Sequence, residues 1–110
     1  MTRGDIVVVA TKGAYTGKPR PALVVQADVF NDTHASVTLC PVTSAVLDAP
    51  LFRVSVPAGS RTGLGVASQV MVDKVVSVPR GAIGRVIGRC TDQEMDGIDE
   101  ALRRWLGLAA

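Results

Sequence analysis

Lys12, Tyr15, Lys18 and Arg20 fall within nine positions and combine cations with one aromatic ring. Cations can neutralise phosphates and the ring can stack on a base, the ingredients of single-stranded nucleic-acid recognition. Lysines in a polar loop are ordinarily just solvated, so the arginine is the sharper signal. Arg20 stands between Pro19 and Pro21, and both rings push it toward extended backbone. A guanidinium held there has less freedom to lose, its planar fork suits a phosphate, and it stays charged at physiological pH. The plainer reading is a rim arginine paired with a carboxylate. A second candidate is Pro41-Val42-Thr43-Ser44, where two hydroxyls sit as a strand runs out. Hydroxyls in such places usually turn or cap the backbone. The stretch Gly13 to Pro19 has glycines and a lysine, but its spacing is wrong for a triphosphate-binding loop. Pro19 also stands where the magnesium-binding hydroxyl would be.

Other chemistry is excluded by count. Cys40 and Cys90 are far apart and there is one histidine, His34, so no zinc or iron–sulfur spacing exists. Each cysteine ends an aliphatic stretch and reads as a buried, reduced thiol. His34 lies among the turn formers Asn31-Asp32-Thr33 and is expected in an exposed turn.

Short strands must position these residues. Asp5 to Ala10, Ala22 to Gln26, Ser36 to Cys40, Leu51 to Val56, Val70 to Val78 and Ile83 to Ile87 all have strand character. A basic loop, 11–19, and the glycine-rich segment Gly59 to Gly65 separate some of them. At Thr91 the pattern changes. Thr91-Asp92-Gln93-Glu94 is a capping box. Met95, Ile98, Leu102, Trp105 and Leu106 then follow on one helical face, with Gly107 as the stop. The whole stripe is expected to pack on the sheet. The pattern predicts a mainly β fold, a small, strongly bent antiparallel barrel with a C-terminal helix, in one domain over residues 1–110. The longest aliphatic run, Ile6 to Ala10, is too short to span a bilayer, and a cytoplasmic protein is expected.

In order along the chain, these segments resemble a family. Arg3-Gly4-Asp5-Ile6-Val7-Val8-Val9, the glycine-bearing loop, and Arg20-Pro21-Ala22-Leu23-Val24-Val25-Gln26 look like the MazF/PemK (Kid-like) toxins of bacterial toxin–antitoxin systems. Asn31, Pro41-Val42-Thr43-Ser44, Arg61-Thr62-Gly63, Ser68-Gln69-Val70 and the terminal helix fall where that family has equivalents. The resemblance spans nearly the whole chain and rests on order and spacing. It implies an SH3-like β-barrel with a C-terminal helix. It also implies a sequence-specific, metal-independent endoribonuclease, in which a ribose 2′-hydroxyl attacks the adjacent phosphate of single-stranded RNA. Arg20 and Thr43 match the family's catalytic arginine and threonine. Lys12, Tyr15, Thr16, Lys18, Ser44, Ser68 and Gln69 are the expected substrate contacts, with no cofactor. The implied partners are the RNA, a cognate antitoxin and a second copy in a homodimer.

Departures matter too. Val66 and Ser68 stand where some relatives carry an arginine and an aspartate, and Tyr15 lies where some carry an acid. No obvious general base is left. Two alternatives follow. One is a CcdB-like, gyrase-binding toxin, faintly echoed by Trp105-Leu106-Gly107-Leu108. The other is a catalytically inactive RNA-binding barrel.

The net charge of +2 is too small to announce a polyanion partner, but it is an average. Residues Asp92 to Gly107 carry a net −3, so the remainder carries +5. Arg3, Lys12, Lys18 and Arg20 are expected to cluster near the groove.

Overall fold

The run Ile6 to Val9 lacks polar alternation because it is covered on both faces. The computed structural model describes residues 1–10 and 18–108. In it, Ile6 of strand β1 (Asp5–Val9) packs with Leu23, Cys40, Val70 and Ile98, while Val7 and Val9 face Ala22, Val24, Val37 and Leu39. Burial on two faces removes the period-two signature of a half-exposed strand.

β1 pairs antiparallel with β2 (Arg20–Val24), with Val9 opposite Arg20, and β2 pairs with β3 (Ser36–Thr43). β3 is long enough to serve two further partners. Its first half pairs with β6 (Val76–Pro79) and its last two residues pair with β5 (Ser68–Met71), which carries β4 (Arg53–Val56). β7 (Ile83–Arg89) lies on the other side of β1. The order is β4-β5-β3-β2-β1-β7, with β6 on β3. This ladder does not close among the described residues. Instead the segment after β4 reaches the β7 end, where the Arg89 N–H donates to the Arg61 carbonyl at 2.9 Å.

Two expectations about the strands and turns need correction. Val70 to Val78 is not one strand: a 3₁₀ turn at Val72–Lys74 separates β5 from β6. The turn lets the chain leave one end of β3 and rejoin it at the other. It is pinned by the buried side chain of Val72 and by Arg53, whose Nε donates to Asp73 Oδ1 at 3.0 Å. The stretch before His34 begins with a short helix, α1 (Asp28–Asn31), and Asn31 is buried. Its Nδ2 donates to the Gln26 carbonyl and to Asp28 Oδ1, and its Oδ1 accepts from Gln26 Nε2. Those bonds offset the cost of burying an amide. His34 is exposed, as expected.

Helix α2 (Asp92–Leu106) starts with both capping-box bonds and stops at Gly107, whose φ of +69° suits glycine. Ile98 and Ala101 are buried, with Met95 and Leu102 packed around them. The stripe does not stay buried: Trp105 is 48% exposed and Leu106 54%. The helix outruns the sheet, and the Trp105 ring instead leans on Phe52, with centroids 5.5 Å apart. Among the described residues, no helix is long and apolar enough to cross a membrane.

Glu94 ties this helix to the sheet. Its carboxylate accepts both Arg61 Nη atoms, at 2.8 and 3.1 Å, and the Thr91 N–H at 2.8 Å. Burial alone would raise its pKa, but the bonds from Arg61 and Thr91 outweigh that and hold it below the usual 4.5. A depressed carboxyl stabilises the fold above its unfolded value and loses that contribution as pH falls through the folded one. Glu94→Gln is therefore expected to cost about 1 kcal/mol near neutral pH. Denaturant titrations should show the gap closing as pH falls through the lowered pKa of Glu94, below which both side chains are neutral.

Candidate active site

Arg20 opens β2 and Thr43 closes β3. Those strands pair with Ala22 opposite Pro41, so extending the register by two residues brings Arg20 level with Thr43. On the far side, Thr43 is paired directly with Gln69 of β5. One row across three strands thus carries three of the residues singled out from the sequence.

Arg20 and Thr43 line one open cleft of about 230 Å³ together with Ser44 and Ser68. Pro21 and Val42 line it from the same strands, and Leu64, Gly65 and Val66 complete the wall. The Arg20 side chain makes no hydrogen bond or ion pair among the described residues and is exposed, leaving its fork open to a ligand. Thr43 Oγ1 accepts the Ala45 N–H at 3.0 Å. That bond occupies a lone pair and leaves the hydroxyl proton to be donated elsewhere. Ser44 is exposed, while the Ser68 hydroxyl donates to the Val66 carbonyl at 2.9 Å.

The other expected contacts divide. Lys12, Tyr15 and Thr16 lie outside the described residues. Lys18 is exposed, two residues before Arg20, and does not line the cleft. Gln69 does not line it either, because its amide is bonded to the backbone of Leu47. Arg3 is not near the cleft. It precedes the end of β1 that pairs with Leu23, whereas Arg20 pairs with Val9 at the other end. Arg3 bonds the Val25 carbonyl and Asp99 of α2. Ion pairs to Asp99 and Glu94 thus join the basic sheet to the acidic helix.

The walls built by Leu64 and Gly65 went unnoticed in the sequence. The clue was the neighbouring glycine-rich segment, whose position against the strands only the fold reveals. One of its anchors is local: Thr62, itself buried, donates from Oγ1 to the Pro57 carbonyl at 2.7 Å.

Among the described residues, no carboxylate, imidazole or thiol lines the cleft. Burial pushes the Cys40 thiol up to about 12 and Cys90 to about 11, so neither is a ready nucleophile. The chemistry offered is donation: a guanidinium and a hydroxyl aimed at a site for negative charge.

This fold, with its cleft at the strand ends, is that of the MazF toxins. It matches Mycobacterium tuberculosis toxin MazF-mt6 with a TM-score of 0.83 and 25% identity, over 96% of this chain and 99% of that one. It also matches a chain of MazE-MazF (Form-I) from Deinococcus radiodurans, with a TM-score of 0.78 and 27% identity, over 97% and 96% of the two chains. Sequence similarity is higher with the probable endoribonuclease MazF of Mycolicibacterium smegmatis, which is 47% identical over 109 residues and 99% of both chains. Residues 2–106 match the family of PemK-like, MazF-like toxins of type II toxin–antitoxin systems, and the chain belongs to it.

Proposed function

We propose that this endoribonuclease toxin cuts single-stranded RNA in the Arg20–Thr43 cleft. The observation that carries the reading is the meeting of Arg20, with its fork unengaged among the described residues, and Thr43, with its hydroxyl oriented, in one open cleft. Both donors face where a phosphate would lie. The ribose 2′-oxygen attacks phosphorus, the bond to the 5′-oxygen breaks, and the products are a 2′,3′-cyclic phosphate and a 5′-hydroxyl. The pentavalent intermediate carries more negative charge than the diester, so the two donors lower the barrier by binding it better. With no base lining the cleft among the described residues, the 2′-proton passes to water or a phosphate oxygen, and the leaving oxygen takes a proton from water.

Lys12, Tyr15, Thr16, Lys18, Ser44 and Ser68 hold the flanking nucleotides in this proposal, and they make cleavage sequence-specific. The reaction needs no metal. A cognate antitoxin neutralises the toxin in the cytoplasm by covering the cleft. Incubating purified protein with mixed-sequence single-stranded RNA in EDTA, then sequencing the ends, tests it. Defined cuts with cyclic-phosphate ends are expected, and no cleavage, or cleavage only with added divalent metal, would overturn it.

The toxin acts as a homodimer in this reading. Leu51, Trp105, Leu106 and Leu108 are all exposed. They lie together, since Arg104 Nε bonds the Leu51 carbonyl and Trp105 touches Phe52. Contiguous apolar surface of this kind marks an interface. Leu106→Asp is expected to shift sedimentation from dimer to monomer while the far-UV CD spectrum stays unchanged.

A further inference from the structure

We infer that Gln69 is a positioning residue, whose amide clamps the loop after Thr43 and thereby aims the Thr43 hydroxyl at the phosphate. The inference rests on the Arg20–Thr43 reading of the cleft. Gln69 is 6% exposed and pairs directly with Thr43 across β3 and β5. Its Nε2 donates to the Leu47 carbonyl at 2.8 Å, and its Oε1 accepts the Leu47 N–H at 3.0 Å. A primary amide closing both bonds onto one residue acts like a short β-bridge. It fixes where that residue sits and how it is turned.

The loop has little else to hold it here. The side chains of Ser44, Ala45, Val46 and Leu47 are all exposed, so apolar burial does not anchor the segment. Among the described residues, its polar ties to the sheet are two: the Gln69 clamp at Leu47, and the Ala45 N–H on Thr43 Oγ1. The second depends on the first. Ala45 lies between the strand end and the clamped residue, so pinning Leu47 keeps the Ala45 N–H aimed at the hydroxyl oxygen. That occupied lone pair is what leaves the Thr43 proton directed out of the loop.

Gln69→Leu removes both bonds. Gln69→Glu is the informative variant, because a protonated carboxyl can both accept from the Leu47 N–H and donate to its carbonyl, whereas a carboxylate repels that carbonyl. The test measures kcat and KM for cleavage of a mapped RNA, from about pH 5.5 to about pH 8.5, with Tm taken on the same samples. Loose positioning of a catalytic group costs about a hundredfold. Gln69→Leu is therefore expected to lose that much kcat at every pH, with KM little changed. Gln69→Glu should approach the parent kcat at the acid end and fall toward the leucine variant at the alkaline end, since burial favours its neutral form.

A rise in KM with kcat retained would mean that Gln69 touches RNA, and would overturn the inference. So would parental kcat in both variants, a loss that follows only the unfolded fraction, or a Glu-to-Gln ratio that does not move with pH. The underlying site reading fails separately: it falls if Arg20→Ala cleaves as fast as the parent, whatever the Gln69 variants do.

Discussion

Arg20→Ala is expected to lower kcat for RNA cleavage by about a hundred- to a thousandfold, the usual cost of losing one preorganised donor to a developing oxyanion. Tm should not move, because the side chain is exposed and holds no described neighbour. That combination separates a catalytic arginine from a structural one. Arg3, by contrast, bonds the Val25 carbonyl and Asp99, and its loss is a stability effect. Arg20→Lys keeps the charge but replaces a planar, two-pronged donor with a point charge on a flexible stem. It should recover RNA binding and little of the rate. Salt dependence gives an independent reading. Removing one phosphate contact to a single strand should reduce the slope of log affinity against log salt by about 0.7. An alanine variant with parental kcat, or one that loses Tm in step with activity, contradicts the role.

Gly88→Ala is expected to be among the most damaging small substitutions in the fold. Gly88 lies in β7 opposite Ile6, and the segment after β4 crosses directly over it. A Cβ there would fall well inside contact distance of the Thr62 carbonyl and of the Arg61 carbonyl oxygen. All those atoms are backbone, so no side chain can swing away. Arg61 and Thr62 are also held by other bonds: Arg61 to the Arg89 carbonyl and Glu94, and Thr62 to Pro57. Relief therefore means breaking one of those ties. The cost is roughly 3 kcal/mol or more, at the upper end for overpacking, which lowers Tm by roughly 10–20 °C. The same crossing carries Leu64, Gly65 and Val66 to the cleft wall, so cleavage should fall even below the new Tm. A thermal melt with the parental midpoint would show that the two backbones separate without cost.

These two expectations come from different levels of information. Arg20, Thr43 and the capped helix could be read from the chain because their signals are local. Two prolines bias one residue's backbone, a hydroxyl ends a strand, and a Thr-x-x-Glu pattern satisfies the N–H groups of its own helix. The Arg-Thr-Gly stretch at 61–63 stood out as a motif, but its job did not: it is a crossing held against β7 through backbone contacts that leave no mark in its own residue types. The family resemblance makes Gln69 an expected RNA contact. The structure commits both groups of its amide to Leu47, 22 positions away in the chain.

The end of α2 and the segment Val70 to Val78 teach the same lesson from the apolar side. Periodicity shows that a residue could be buried, not that a partner surface reaches it. Met95 and Ile98 have the sheet beneath them, while Trp105 and Leu106 extend past its edge. Strand-forming residues run through Val72, yet the chain turns there because β3 offers its two ends to two different strands. The masked charge belongs in between. A basic body and an acidic helix could be counted from the chain, but which cations remain open to a polyanion depends on which ones the helix pairs. Residue types and local spacing determined most of the strands, the capped helix and Arg20 as a candidate donor, and the family resemblance singled out Thr43. The tertiary fold decided which side chains meet, because long-range pairing depends on register and crossing geometry that neighbours in sequence do not encode.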